Sequence, residues 1–257
     1  MISKSVFINM KSCRFRITVA QLFALVLISL SVSGQTAQQK NPSAEQLLNE
    51  FKSEKVFWRQ FELGLKIVAL HDASVLPELV GWLNHDDRHV RGNVAFVFGA
   101  LGDDRGFEVI TAILKDRSDR PQGQGQPMGS SDGRYHLEQQ IRADRYYAAH
   151  LFGDLKERRA VPILIPLLRD KEVSDVVPWA LAEIGDNRAD RPLIELLDDK
   201  SPSMRVLAIY ALQKLDAKEA LPRLHGLLDD HEKANFGEQA SVAEVARAAI
   251  ARLESQR

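Results

Sequence analysis

Thiols are almost missing from this sequence: of 257 residues only Cys13 is a cysteine. No intrachain disulfide can form, and no multi-cysteine metal cage is available. An excess of one charge is missing too. Lys and Arg number 34 against 35 Asp and Glu, a formal net of -1, so there is no electrostatic reason to expect nucleic acid, whose phosphates need a cationic face. With 15 Gly and 10 Pro beside 45% apolar residues, collagen-like and wholly disordered chains are excluded.

One long apolar run is present, at the amino end. Met1 to Gly34 carries Lys4, Lys11, Arg14 and Arg16 but no acid, and Ile17–Val32 is interrupted only by Thr18, Gln21, Ser29 and Ser31. A basic segment followed by an apolar one is the order of an export signal, and Val32-Ser33-Gly34 supplies the small residues that a signal peptidase accepts. Cleavage after Gly34 is expected, because the run is shorter than the roughly 20 residues that span a bilayer. An uncleaved anchor is the alternative. Cleavage removes four bases and Cys13, leaving 30 bases against 35 acids. The expected organisation is a signal at 1–34, a linker at 35–43 and a helical body at 44–257, in the periplasm or outside the cell, with no membrane span after cleavage.

That body is repetitive. Arg105-Gly-Phe-Glu-Val-Ile-Thr-Ala-Ile-Leu114, Arg159-Ala-Val-Pro-Ile-Leu-Ile-Pro-Leu-Leu168, Arg188-Ala-Asp-Arg-Pro-Leu-Ile-Glu-Leu-Leu197 and Glu219-Ala-Leu-Pro-Arg-Leu-His-Gly-Leu-Leu228 are copies of one pattern, and an earlier copy ends at Leu83. The anchor leucines 83, 114, 168, 197 and 228 are 31, 54, 29 and 31 residues apart, so the second interval holds an insertion of about 23 residues. An acid follows each anchor (Asp86, Asp116, Asp170, Asp199, Asp230). A second helical pattern then closes on Leu101-Gly-Asp, Leu155-Lys-Glu, Ile184-Gly-Asp or Leu215-Asp-Ala. Each unit therefore reads helix A, turn, helix B, turn, with Pro77, Pro162, Pro192 and Pro222 near the starts of their A helices. Pro178 should kink or shift its B helix. The insertion, 117–140, has the composition of a loop, and without a Gly-Lys-Ser/Thr sequence it is no phosphate cradle.

The pattern Arg-Ala-x-x-Pro-Leu-Ile-x-Leu-Leu-x-Asp leading to Ala-Leu-x-x-Ile-Gly-Asp resembles HEAT repeats, in the short form found in phycobilin-lyase-like proteins. The resemblance covers about residues 56–253. It implies an all-α, right-handed alpha-alpha superhelix, a HEAT/armadillo-like solenoid of about five helix pairs plus an N-terminal helical cap at about 44–71, its B helices lining a concave groove. It also implies that Arg91, Arg145 and Arg205, which share one register, tie units together through acids such as Asp86 and Asp199.

Counting back from each closing residue, positions 3, 4, 7 and 11 earlier form an apolar stripe, as in Phe98, Val97 and Val94 or Leu212, Ala211, Ala208 and Met204. The position 5 earlier points away from that stripe and reads Phe96, His150, Trp179 and Tyr210. One turn on lie Ala100, Asp154, Glu183 and Lys214. A ladder of rings with a partly acidic margin would anchor a protein or peptide in the groove. Alternatively the inserted loop folds back and buries the rings with Met128 or Tyr135.

Chemistry has little support in the residues. His231-Glu232 is a single His-Glu pair, and His71, His85, His89, His136, His150 and His225 follow no repeat register, so no metal and no cofactor is expected. His150 and Asp154 could form a base and its orienting carboxylate, but no nucleophile accompanies them. The expected function is an exported scaffold that binds a partner through Phe96, His150, Asp154, Trp179, Glu183, Tyr210 and Lys214. A bilin-lyase-like enzyme or cofactor-attachment factor, implied by the resemblance, and a spacer of an envelope assembly are the alternatives.

Overall fold

A computed structural model of the chain describes residues 42–118, 133–236 and 240–255, with 133–138 as backbone only. The chain divides into two units, Met1–Asn41 and Pro42–Arg257, and all described residues belong to the second. That unit is all-α. It opens with α1 (Ala44–Ser53) and α2 (Phe57–Val68), followed by five A–B pairs. The B helices are α3 (Arg88–Ala100), α5 (Gly133–Asp154), α7 (Val177–Ile184), α9 (Pro202–Lys214) and α11 (Val242–Ser255). Among the described residues no strand forms, only an isolated bridge between Lys233 and Ser241.

Proline decides the form of the A segments. The second, α4 (Asp104–Lys115), has none and is one regular α-helix. The first, Ala73–Asn84, contains Pro77 and is a 3-10 helix throughout. The third carries Pro162 and Pro166 and alternates between 3-10 turns (Arg158–Ala160, Ile165–Arg169) and a short α6 (Val161–Leu164). The fourth and fifth each enter through a 3-10 turn, Asn187–Ala189 and Lys218–Ala220, ahead of α8 (Asp190–Leu196) and α10 (Leu221–His225). A proline has no N–H for the bond to the fourth residue back and its ring crowds that carbonyl, so the proline-bearing segments are broken into short or irregular turns. Pro178 acts by shifting: it stands in the first turn of α7, which has 8 residues where α3 and α9 have 13.

The repeat is written in the backbone as well. Positive φ occurs at His71, Gly102, Lys156, Gly185 and Asp216, the same intervals as the anchor leucines, so every unit is entered through a left-handed residue that ends the preceding helix. A carboxylate follows it. Asp72, Asp103, Glu157 and Asp186 each accept the backbone N–H two residues on, whereas the fifth unit has Ala217 there and no side-chain cap. The A-to-B turns repeat the device: Asp116, Asp170, Asp199 and Asp230 accept from Ser118, Glu172, Ser201 and Glu232. In the first unit the imidazole of His85 replaces the carboxylate, accepting from the Asp87 N–H at 3.0 Å.

Apolar faces of consecutive units merge into one core, including Phe51, Phe98 and Phe152. The expected stripe residues Phe98, Val97, Val94, Leu212, Ala211 and Ala208 are buried, and Met204 is half-buried. Arginines clamp one unit to the next, though not through the expected acids. Arg145 donates to Leu114 O in its own unit and to Asp170 and Glu172 in the next; Arg205 reaches Asp230 and Glu232 in the same way. Asp86 and Asp199 contribute carbonyl oxygens, to Arg91 and Arg205. At the first joint the forward contact to Asp116 comes from Arg88, one helical turn before Arg91. On the opposite edge Arg159 meets Asp104, and Asp186 lies between Arg158 and Arg188. Those guanidiniums, Arg188 foremost, hold the Asp186 carboxyl well below the usual carboxylate range.

Residues 133–140, expected in the inserted loop, are the opening turns of α5, which runs for 22 residues. The Gly- and Gln-rich stretch that ends at Gly133 masks the start of this helix, whose buried face is seen from Ile141 onward. Met128 lies outside the described residues, as does the side chain of Tyr135.

Candidate functional site

The rings expected at one exposed register divide into two groups. Phe96 is 4% exposed, contrary to expectation. Its ring lies 4.7 Å from that of Phe61, on α2, so the cap helix covers the first rung. Repeat counting from 83 onward omits the cap, and so it missed the residue that does the covering.

His150 and Trp179 form the next rungs, on α5 and α7. Their rings stack at 4.0 Å with an interplanar angle of 24°. Gly153 makes room for the indole, since a Cβ there would stand 2.7 Å from Trp179 Cζ3 and 3.1 Å from Ala180 Cα. The other side of His150 is held by Asp154, whose Oδ2 is 2.9 Å from Nδ1. Glu183, one turn past Trp179, pairs with Lys214 of α9. Tyr210, 49% exposed, stands one turn before Lys214. The structure thus brings His150, Asp154 and Trp179 into contact, joins Glu183 to Lys214, and leaves the Tyr210 ring facing solvent. This surface offers flat π faces with a carboxylate–imidazole pair at one margin and a carboxylate–ammonium pair at the other.

A second aromatic group escaped sequence reasoning. Phe57 and Trp58, at the start of α2, are 39% and 54% exposed. The Phe57 ring lies 4.7 Å from His89, 5.7 Å from Tyr147 and 5.4 Å from Trp58. Beneath them is a polar network. Asn93 donates to Phe57 O and to Gln60 Oε1, and accepts from the Tyr147 hydroxyl; Asp144 is 3.3 Å from both Arg88 and His89. Burial pushes the Tyr147 phenol well above its ordinary range and Tyr146 to about 12, so both stay neutral. Two adjacent aromatics opening a helix were the legible signal.

A shallow cavity of about 460 Å³ between α1 and α2 is lined by Glu50, Glu54, Glu62, Lys55, Arg59 and Lys66 among others, away from the expected groove. Among the described residues no three His, Cys, Asp or Glu side chains are grouped to hold a metal ion. No helix of the described residues is long and apolar enough to cross a membrane.

Comparison with known proteins gives the family context. Residues 136–205, which include His150, Asp154, Trp179 and Glu183, match the model of HEAT repeats. The bilin biosynthesis protein PecE of Mastigocladus laminosus is 37% identical over 100 residues, 38% of this chain and 37% of that protein. PecE of Nostoc sp. is 29% identical over 154 residues, 59% of this chain and 54% of that one. The chain thus spans between about a third and about half the length of these relatives. A designed armadillo repeat protein aligns with 82% of the chain and all of its own length, at 18% identity and a TM-score of 0.40. The chain is a helical-repeat protein whose residues 136–205 match the HEAT-repeat model and which is similar in sequence to bilin biosynthesis proteins.

Proposed function

We propose that the chain is a bilin-lyase-like binding protein, in which the face carried by α5, α7 and α9 holds an open-chain tetrapyrrole or the polypeptide that receives one. The carrying observation is the Trp179 indole stacked on His150 beside the exposed Tyr210. Flat aromatic surface at the protein boundary suits a planar conjugated ligand, and rings of this kind dominate binding energy where they are desolvated. The similarity to bilin biosynthesis proteins supports this reading. His150 with Asp154 would serve a proton-transfer or hydrogen-bonding role towards the ligand. The test is titration of the full chain with phycocyanobilin, followed by absorption and tryptophan quenching. Saturable binding that is lost in Trp179→Ala and Tyr210→Ala supports the proposal. No spectral change, or a change that both variants retain undiminished, overturns it.

A second reading rests on Met1–Gly34: export, followed by capture of a protein or peptide on the same face. Pull-down from a cell envelope with residues 35–257 tests it. A partner kept by the Trp179→Ala, Tyr210→Ala double variant would move attention to the outer A segments, as a spacer role requires.

A further inference from the structure

One acid breaks the repeat. Counting five residues from each left-handed entry residue gives Leu76, Phe107, Val161, Asp190 and Leu221, so four units place an apolar side chain where the fourth places a carboxylate. Asp190 is 7% exposed, and its Oδ1 is buried with no hydrogen-bond partner. The helical start is already served, because Asp186 caps this segment one turn earlier.

Among the described residues, the charged groups near Asp190 are acidic or are largely engaged elsewhere. On its own segment, Asp186 is taken by Arg158 and Arg188, and Arg191 faces Glu195 at 3.5 Å. The turn Lys218–Ala220 of the fifth unit, which packs against α8, brings Lys218 and Glu219. On α9, Arg205 is engaged with Asp230 and Glu232, and Lys214 with Glu183.

We propose that Asp190 is a proton-operated latch at the joint between the fourth and fifth repeats. Protonated, it seats at an apolar register as a neutral group. Ionised, it is a charge in a site built for a leucine, and it loosens the docking of the fifth unit. Burial, then Glu219 and Asp186, push its carboxyl above the ordinary value. A carboxyl raised by folding contributes stability that is fully present below its unfolded value, near 3.9, and is lost as pH rises through the folded value. Acidification therefore tightens this joint.

The experiment is amide hydrogen exchange on the full chain at a series of pH values from about 4 to about 7, corrected for intrinsic rates, with Asp190→Asn and Asp190→Leu alongside. In the parent, exchange across 218–228 and 242–253 should accelerate about three- to tenfold relative to α3 as pH rises through the series, and both variants should lose that difference. Uniform acceleration, or the same acceleration in the variants, overturns the latch. Carboxyl carbon NMR of the parent decides the matter even if both variants fail to fold. A midpoint for Asp190 above the ordinary aspartate value, near 3.9, is expected, and one at or below it refutes the proposal.

Discussion

Phe96 and Tyr210 hold the same register in their units, yet one is 4% and the other 49% exposed. The amino-terminal region, α2 with α3 and α5, has large rings on every helix, and inside it Phe61 covers Phe96, while Phe57 rests on His89 and Tyr147 and, with Trp58, stays exposed at the start of α2. Towards the carboxyl end the supply thins. Trp179 still finds His150, but α11 has no aromatic residue in its 14 positions. The difference teaches that helix register sets the direction of a side chain, whereas the size of its cross-helix neighbour sets its exposure.

Breaking the comparison at its buried end should have the largest effect. Phe96→Ala removes a ring from the core and should cost about 3–5 kcal/mol in urea unfolding; a cost near zero would mean that Phe96 is not packed as described. Arg145→Met, which strips the second joint of its bonds to Leu114 O, Asp170 and Glu172, should cost about 2–3 kcal/mol. Part of the acid's pairing survives through Arg117, 2.7 Å from Asp170.

Asp186→Asn should cost about 1–2 kcal/mol at neutral pH. Its carboxyl is depressed in the fold, so the stability that it supplies is present above the unfolded value, about 3.9, and lost as pH falls below it. The parent's melting temperature should therefore drop more steeply on acidification than the variant's; parallel curves would contradict the Arg158–Asp186–Arg188 assignment. Lys156→Gly should gain about 1 kcal/mol, because a left-handed residue at φ 51° no longer carries a Cβ. The smallest effect sharpens the contrast. Tyr210→Ala should leave stability within about 0.5 kcal/mol while abolishing binding, and a large loss of stability would place the ring in the core after all.

The helix pairs were legible in the residues because their causes are local. Leucine spacing marks the A segments, Gly102 and Gly185 mark helix ends, and the acids of the turns cap through bonds two residues long. Pro178 announced a displaced helix. The candidate site was legible only in part: the contact of His150, Asp154 and Trp179 follows from a shared register on neighbouring helices, but the burial of Phe96 depends on Phe61, 35 positions away, and the Gly-rich stretch that ends where α5 begins hid its first turns. The choice of clamping partner was hidden too, since Arg88 and Arg91 differ by one turn and only packing decides which reaches Asp116.

The sequence by itself determined a tandem helical array, its period and the places where its helices stop, because capping, proline geometry and 3.6-residue periodicity act within a few residues of chain. The tertiary structure alone decided which rings face solvent, which arginines join the units, and that Asp190 lies buried at a register its sister units fill with hydrocarbon. Those properties depend on the side chains that distant helices bring alongside, and side-chain size and charge across an interface are not written in the residues beneath it.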